Sequence, residues 1–113
     1  MIGRRSKYSS VKSEVYGKKF DSKKEANRYI ELRALLRNKE ISELVTQPEF
    51  TLQDDFVLNN KKIRKIKYIA DFMYVKDGEI IVEDVKGMKT DVYMLKKKMF
   101  LKIYGKRYNL VEI

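Results

Sequence analysis

Apolar and polar residues recur along this chain with two periods. Ala26, Tyr29, Ile30, Arg33 and Leu36 are spaced as on one face of a helix, with Leu32 and Leu35 widening the stripe. Ser22-Lys23-Lys24-Glu25 ahead of them fits a capping box, in which Ser caps and Glu reaches back. The spacing predicts a helix from there to about Asn38, a residue that tolerates a left-handed C-cap. Before it, Glu14 to Phe20 reads as a small hairpin turning near Gly17. Pro48 blocks helix after Gln47, and Glu49 to Leu52 reads as a strand that could run on toward Phe56. Asn59-Asn60 is a turn signal, and Ile63 to Val75 reads as one long strand. Asp77-Gly78 predicts a tight hairpin, with Glu79 to Lys86 as the return strand. A second helix runs from Thr90 or Asp91 to about Tyr104, with Val92, Leu95, Met99 and Ile103 on its expected inner face and Gly105 closing it. Arg107 to Glu112 is a last strand. The order helix, three strands, helix, strand implies an α/β chain with a mixed central sheet flanked by helices.

Composition narrows what such a sheet could do. The chain has 113 residues, enough for one domain over residues 11–113 preceded by a flexible basic arm at 1–10. It contains no Cys and no His. Disulfides, thiolate zinc sites, cysteine nucleophiles and imidazole bases are thereby excluded, and a bound metal must be held by oxygen. No apolar run reaches the length of a membrane helix, and none follows the basic N-terminus as in a secretory signal. A soluble protein of the cytoplasm is the expectation.

The net charge of +10 points to a polyanionic partner, nucleic acid first. Its distribution adds more. Residues 1–40 carry twelve basic and five acidic side chains, residues 41–85 six and nine, and residues 86–113 eight and two. An acidic middle between basic flanks suits a divalent cation beside a phosphate backbone; it equally suits ordinary exposed hairpins.

Register decides where those acids fall. If Asp77-Gly78 is a two-residue turn, Lys76 pairs with Glu79, and counting back puts Asp71 opposite Asp84. Both interrupt apolar strands, where a carboxylate is costly unless paired, protonated or bound to metal. Lys86 shares their face. A cation between the aspartates, or an ion pair from Lys86 to both, accounts for this patch. A register slip of one would bring in Glu83 instead.

Tyr68-Ile69-Ala70-Asp71-Phe72 followed by Val82-Glu83-Asp84-Val85-Lys86-Gly87 resembles the PD-(D/E)XK nuclease superfamily. The stretch from Phe20 to Ala26, through Gln47-Pro48, to Lys86-Gly87-Met88-Lys89-Thr90 is similar to a family of small phage-encoded nucleases within it. Ala70 stands where the superfamily name has proline. The resemblance implies a restriction-endonuclease-like α-β-β-β-α-β core. It implies a metal-binding role for Asp71 and Asp84, with the main-chain carbonyl of Val85 as a further ligand for Mg²⁺ or Mn²⁺. It gives Lys86 the role of orienting the attacking water or steadying the phosphate, and Glu25 that of the acid supplied by the first helix, unless Glu25 only caps it. Glu83 competes with Asp84 as second acid, or is an exposed strand residue. Gln47 could approach from the loop, or serve the turn.

The implied function is a metal-dependent DNA endonuclease of recombination type, with branched DNA such as a Holliday junction as substrate and a homodimer making two cuts. No small-molecule cofactor is implied beyond the metal, and a phage-encoded enzyme would work in the host cytoplasm. A nuclease acting on DNA ends, duplex or RNA, and a non-catalytic basic DNA-binding module, are the alternatives. Lys23, Lys24, Arg28, Lys89, Lys96, Lys97, Lys98 and Lys102 are the expected backbone contacts, each also readable as a solvated helix residue. Tyr93 and Tyr104 could stack on bases or pack in the core.

Overall fold

In the computed structural model, which describes residues 13–85 and 89–113, the chain divides into two compact units between Glu40 and Ile41. The expected arm at 1–10 lies outside the described residues, as does Lys86.

In the first unit β1 (Ser13–Val15) and β2 (Lys18–Phe20) pair antiparallel around Tyr16-Gly17, as the sequence predicts. α1 (Lys23–Arg37) follows, and Ser22 caps it by accepting the Glu25 N–H at 3.1 Å. Its buried face is Ala26, Tyr29 and Leu32, with the Phe20 ring 5.0 Å from that of Tyr29. Ile30, expected on that face, is exposed. The helix closes at Asn38 as expected, but the left-handed residue comes one position later. Asn38 has φ of −84°, and it is Lys39 that turns left-handed at φ 62°. The Lys39 N–H then reaches Leu36 O and the Glu40 N–H reaches Leu35 O, satisfying two terminal carbonyls.

The second unit holds β3 (Ser42–Thr46), β4 (Glu49–Gln53), β5 (Phe56–Leu58), β6 (Lys61–Ile63), β7 (Ile66–Ile69), β8 (Phe72–Lys76), β9 (Glu79–Asp84), α2 (Asp91–Tyr104) and β10 (Asn109–Glu112). Its main sheet runs β10-β9-β8-β3, with β10 parallel to β9 and the other pairs antiparallel. β3 has no counterpart in the expected order. It is an edge strand with a register shift between Ser42 and Val45, where Glu43 has φ 54°. The single strand expected over 63–75 is three strands, because its parts find different partners. β6 pairs with β5, β7 with β4, and β8 with β9 and β3. The chain changes sheet at Ala70-Asp71: the Ala70 N–H bonds Pro48 O at 3.1 Å and the Asp71 N–H bonds Glu83 O at 3.0 Å.

α2 begins at Thr90, whose Oγ1 accepts the Tyr93 N–H, and Gly105 closes it. Of its expected inner face only Met99 packs against the core. Val92, Leu95 and Ile103 are 61%, 60% and 46% exposed, and Tyr93 and Phe100 are buried instead. Large aromatic surfaces set the roll of the helix. Phe100 lies edge-on to Phe50 at 4.9 Å, and Tyr68, Tyr104 and Tyr108 pack around the pair. The outcome is a mixed α/β chain with two helices among the described residues, neither long and apolar enough to cross a membrane.

Candidate active site

The β8–β9 hairpin has the predicted register. Asp77 (φ 52°) and Gly78 (φ 79°) form the turn, and pairing runs from Lys76 with Glu79 to Phe72 with Glu83. There it ends, one pair short of the expected Asp71–Asp84 pair. The Asp71 N–H goes to Glu83 O, and its carbonyl accepts the Gln47 N–H at 2.9 Å. Its carboxylate turns to β9, where Oδ2 accepts the Val85 N–H at 2.6 Å. Asp71 is therefore fixed at the change of sheet, half-buried, against the residue that follows Asp84. Gln47, left-handed at φ 52°, meets Asp71 through its backbone.

Glu83 and Asp84 are both fully buried. As neighbours on a strand they face opposite ways. Asp84 Oδ2 accepts the Tyr68 hydroxyl, and Glu83 Oε2 accepts the Tyr74 hydroxyl. Glu83 is thus no exposed strand residue. Each bond offsets part of the cost of burying a carboxylate. Burial, then the hydrogen bond to Asp84, pushes the Tyr68 hydroxyl far above its ordinary pKa and keeps it a donor.

Glu112 was not foreseen. It lies beside Asp84 in the parallel β9–β10 ladder, and the Ile113 N–H bonds Asp84 O at 2.9 Å. Its carboxylate accepts the Tyr93 hydroxyl at 2.5 Å, Lys89 Nζ at 3.0 Å and Lys97 Nζ at 3.2 Å. The Tyr93 bond first, then that of Lys89, holds its pKa at about 2. Burial first, then the bond to Glu112, raises the Tyr93 hydroxyl. The signal in the sequence was faint: alternation puts Glu112 on the face of Leu110, but only the parallel register sets it against Asp84.

A cavity of about 310 Å³ opens alongside, walled by Tyr68, Tyr93, Ile69 and Val92 and flanked by Lys67 and Lys96. Tyr68 thus joins the cavity wall to Asp84. Lys98 and Lys102 are exposed on α2, and Lys89 and Lys97 are ion-paired to Glu112. In the first unit Glu25 sits in the first turn of α1, Lys23 and Lys24 are exposed, and Arg28 pairs with Glu31 at 2.9 Å.

Among the described residues no group of three or more Asp, Glu, His or Cys is placed to hold a metal ion. The Asp71 carboxylate, held to the Val85 N–H, the Asp84 carboxylate, buried against Tyr68, and the Val85 carbonyl are hard oxygen donors near the end of β9 in sequence. In kind they fit Mg²⁺ or Mn²⁺; in number they leave several positions to water.

A family model described as a protein of unknown function, DUF1064, matches residues 5–111. The chain belongs to this family. No curated protein matches it. A solved structure described as "Crystal structure of SSO0001" is similar at 23% identity, over 78% of this chain and 44% of that one, with a TM-score of 0.37. The chain spans less than half the length of that structure, and so loose a likeness carries no argument. For this member of the DUF1064 family, function must be read from its own residues.

Proposed function

We propose that the protein is a metal-dependent DNA endonuclease with a restriction-endonuclease-like core, acting on branched DNA as a homodimer. One observation carries the reading. Asp71, at the change of sheet between β7 and β8, accepts the N–H of Val85, the residue that follows Asp84 at the end of β9. In this reading Asp71, Asp84 and the Val85 carbonyl would hold Mg²⁺ or Mn²⁺, which would supply a more acidic water and offset charge on the scissile phosphate. Tyr68 orients Asp84 by donating to Oδ2. Lys86 stabilises the charge that grows on the phosphate, since no imidazole exists to act as base. Glu25 serves the first turn of α1 in this reading. Lys67 and Lys96 at the cavity draw in the phosphate backbone, aided by Lys98 and Lys102.

The second reading is a non-catalytic basic DNA-binding module. Full burial of Asp84 against Tyr68, which withdraws one of the two acids from solvent, favours it. A cleavage panel of junction, flap, duplex, single-stranded DNA and RNA separates the two. The nuclease reading expects cutting in Mg²⁺ or Mn²⁺, none in EDTA, and binding without turnover in Ca²⁺. Binding without cutting on every substrate supports the module.

A further inference from the structure

Between β4 and β7 the chain extends into a hairpin of its own. All six residues of β5 and β6 are exposed. Asn59 (φ 50°) and Asn60 (φ 63°) close it, so Phe56 pairs with Ile63 and Leu58 with Lys61. Partners across an antiparallel pair share a face. Phe56, Leu58 and Ile63 therefore stand together on one side, 45%, 59% and 38% exposed. The returning strand reads Lys61-Lys62-Ile63-Arg64-Lys65-Ile66-Lys67, five cations in seven positions. Only Lys76 adds to them in the net-acidic stretch 41–85. Asp55 approaches Lys62 at 3.5 Å, and Glu49 pairs with Lys67 at 3.1 Å. Lys61, Arg64 and Lys65 are exposed.

We propose that this hairpin is a nucleic-acid wedge: its cations lie along backbone phosphates while Phe56 stacks on a base exposed where two DNA strands part. The assignment rests on the nucleic-acid reading above, though not on catalysis. A second copy of the chain is the poorer occupant for two reasons. Two such hairpins face to face would crowd their cations together. Three apolar side chains also fall well short of the roughly 800 Å² per partner that a stable interface buries. A polyanion with unstacked bases meets both features at once, since phosphates match the cations and a base face matches an aromatic ring.

The test uses the full chain in EDTA and two labelled DNA duplexes, one fully paired and one with a central unpaired bubble carrying 2-aminopurine. The bubble should bind more tightly, with its fluorescence changed on binding. Phe56→Ser should weaken bubble binding about tenfold and paired-duplex binding by less than about twofold, and Phe56→Tyr should retain the preference. Combined Lys61, Lys62, Arg64 and Lys65 to Ala changes should weaken both and lower the salt slope by about three to four units. Thermal unfolding of each variant should stay near that of the parent, since the altered side chains are exposed. Unchanged bubble affinity in Phe56→Ser, or an equal loss on both DNAs, overturns the wedge. So does conversion of a dimer to a monomer with DNA affinity intact. Cleavage in Mg²⁺ is read on the same proteins. Bubble binding through Phe56, with no cutting on any substrate of the cleavage panel, leaves the wedge standing and removes the nuclease reading; cutting with Phe56→Ser binding unchanged does the reverse.

Discussion

The carboxylate of Asp71 is fastened to the backbone of Val85, its Oδ2 accepting the Val85 N–H at 2.6 Å across the open end of the β8–β9 hairpin. A hydrogen bond to an ionised acceptor contributes about 1.5–3 kcal/mol. Here it also locks the point where the chain leaves one sheet for another. Asn at position 71 could still accept that bond through its amide oxygen, so charge and architecture can be separated by experiment.

Tyr68→Phe removes the hydroxyl that Asp84 Oδ2 accepts within the core. A buried carboxylate deprived of a donor should cost about 1–3 kcal/mol. The unfolding midpoint should drop by several degrees, and saturated cleavage should slow while DNA affinity in Ca²⁺ holds. An unmoved midpoint would deny that bond any weight.

Glu83 and Tyr74 form a separate buried pair on the other face of β9. Glu83→Ala should destabilise the fold by about 1–3 kcal/mol, because Tyr74 keeps a buried hydroxyl without its acceptor. Adding Tyr74→Phe should recover part of the loss, and denaturant unfolding of the single and double variants measures that coupling. Glu83→Gln keeps an acceptor and should leave cleavage nearly intact. A loss as severe as that of Asp84→Asn would make Glu83 the second acid.

Much of this was legible in the chain, because short-range chemistry fixed it. Ser22 and Thr90 cap their helices, and Asp77-Gly78 sets the hairpin register from Lys76–Glu79 to Phe72–Glu83, one pair short of Asp71 and Asp84. What stayed hidden depends on partners distant in sequence. Ile63 to Val75 has one strand-like pattern, yet β4, β5 and β9 each claim a different part. Val92, Leu95 and Ile103 have the spacing of an inner face, but Phe100 and Tyr93 offer the sheet more surface. Glu112 becomes notable only when β10 is laid parallel to β9.

Glu112 should make stability depend on acid. Its pKa is held at about 2 in the fold against an ordinary 4.5, by the Tyr93 hydroxyl and then Lys89. A depressed carboxyl pKa stabilises the fold fully above the unfolded value and ceases to do so as pH falls through the folded one. The loss should spread from about pH 4.5 down to about 2. Denaturant midpoints across that range should fall less steeply in Glu112→Gln than in the parent. Parallel curves would contradict the assigned partners.

Gly78 takes φ 79° with open space where a Cβ would sit. Gly78→Ala should therefore cost about 1 kcal/mol through the backbone alone, with no clash added. The unfolding midpoint reads this directly, and a much larger loss would mean that the turn is packed against something else.

The central claim is that Asp71 serves the chemistry as well as the fold. Asp71→Asn should be assayed on the best DNA substrate by single-turnover cleavage at saturating protein in Mg²⁺, with affinity measured in Ca²⁺. Cleavage should fall about a hundredfold or more while DNA binding stays level or tightens, since a repelling charge has gone and the fold remains. Cleavage at the parental rate by a folded, DNA-binding Asp71→Asn protein would contradict it.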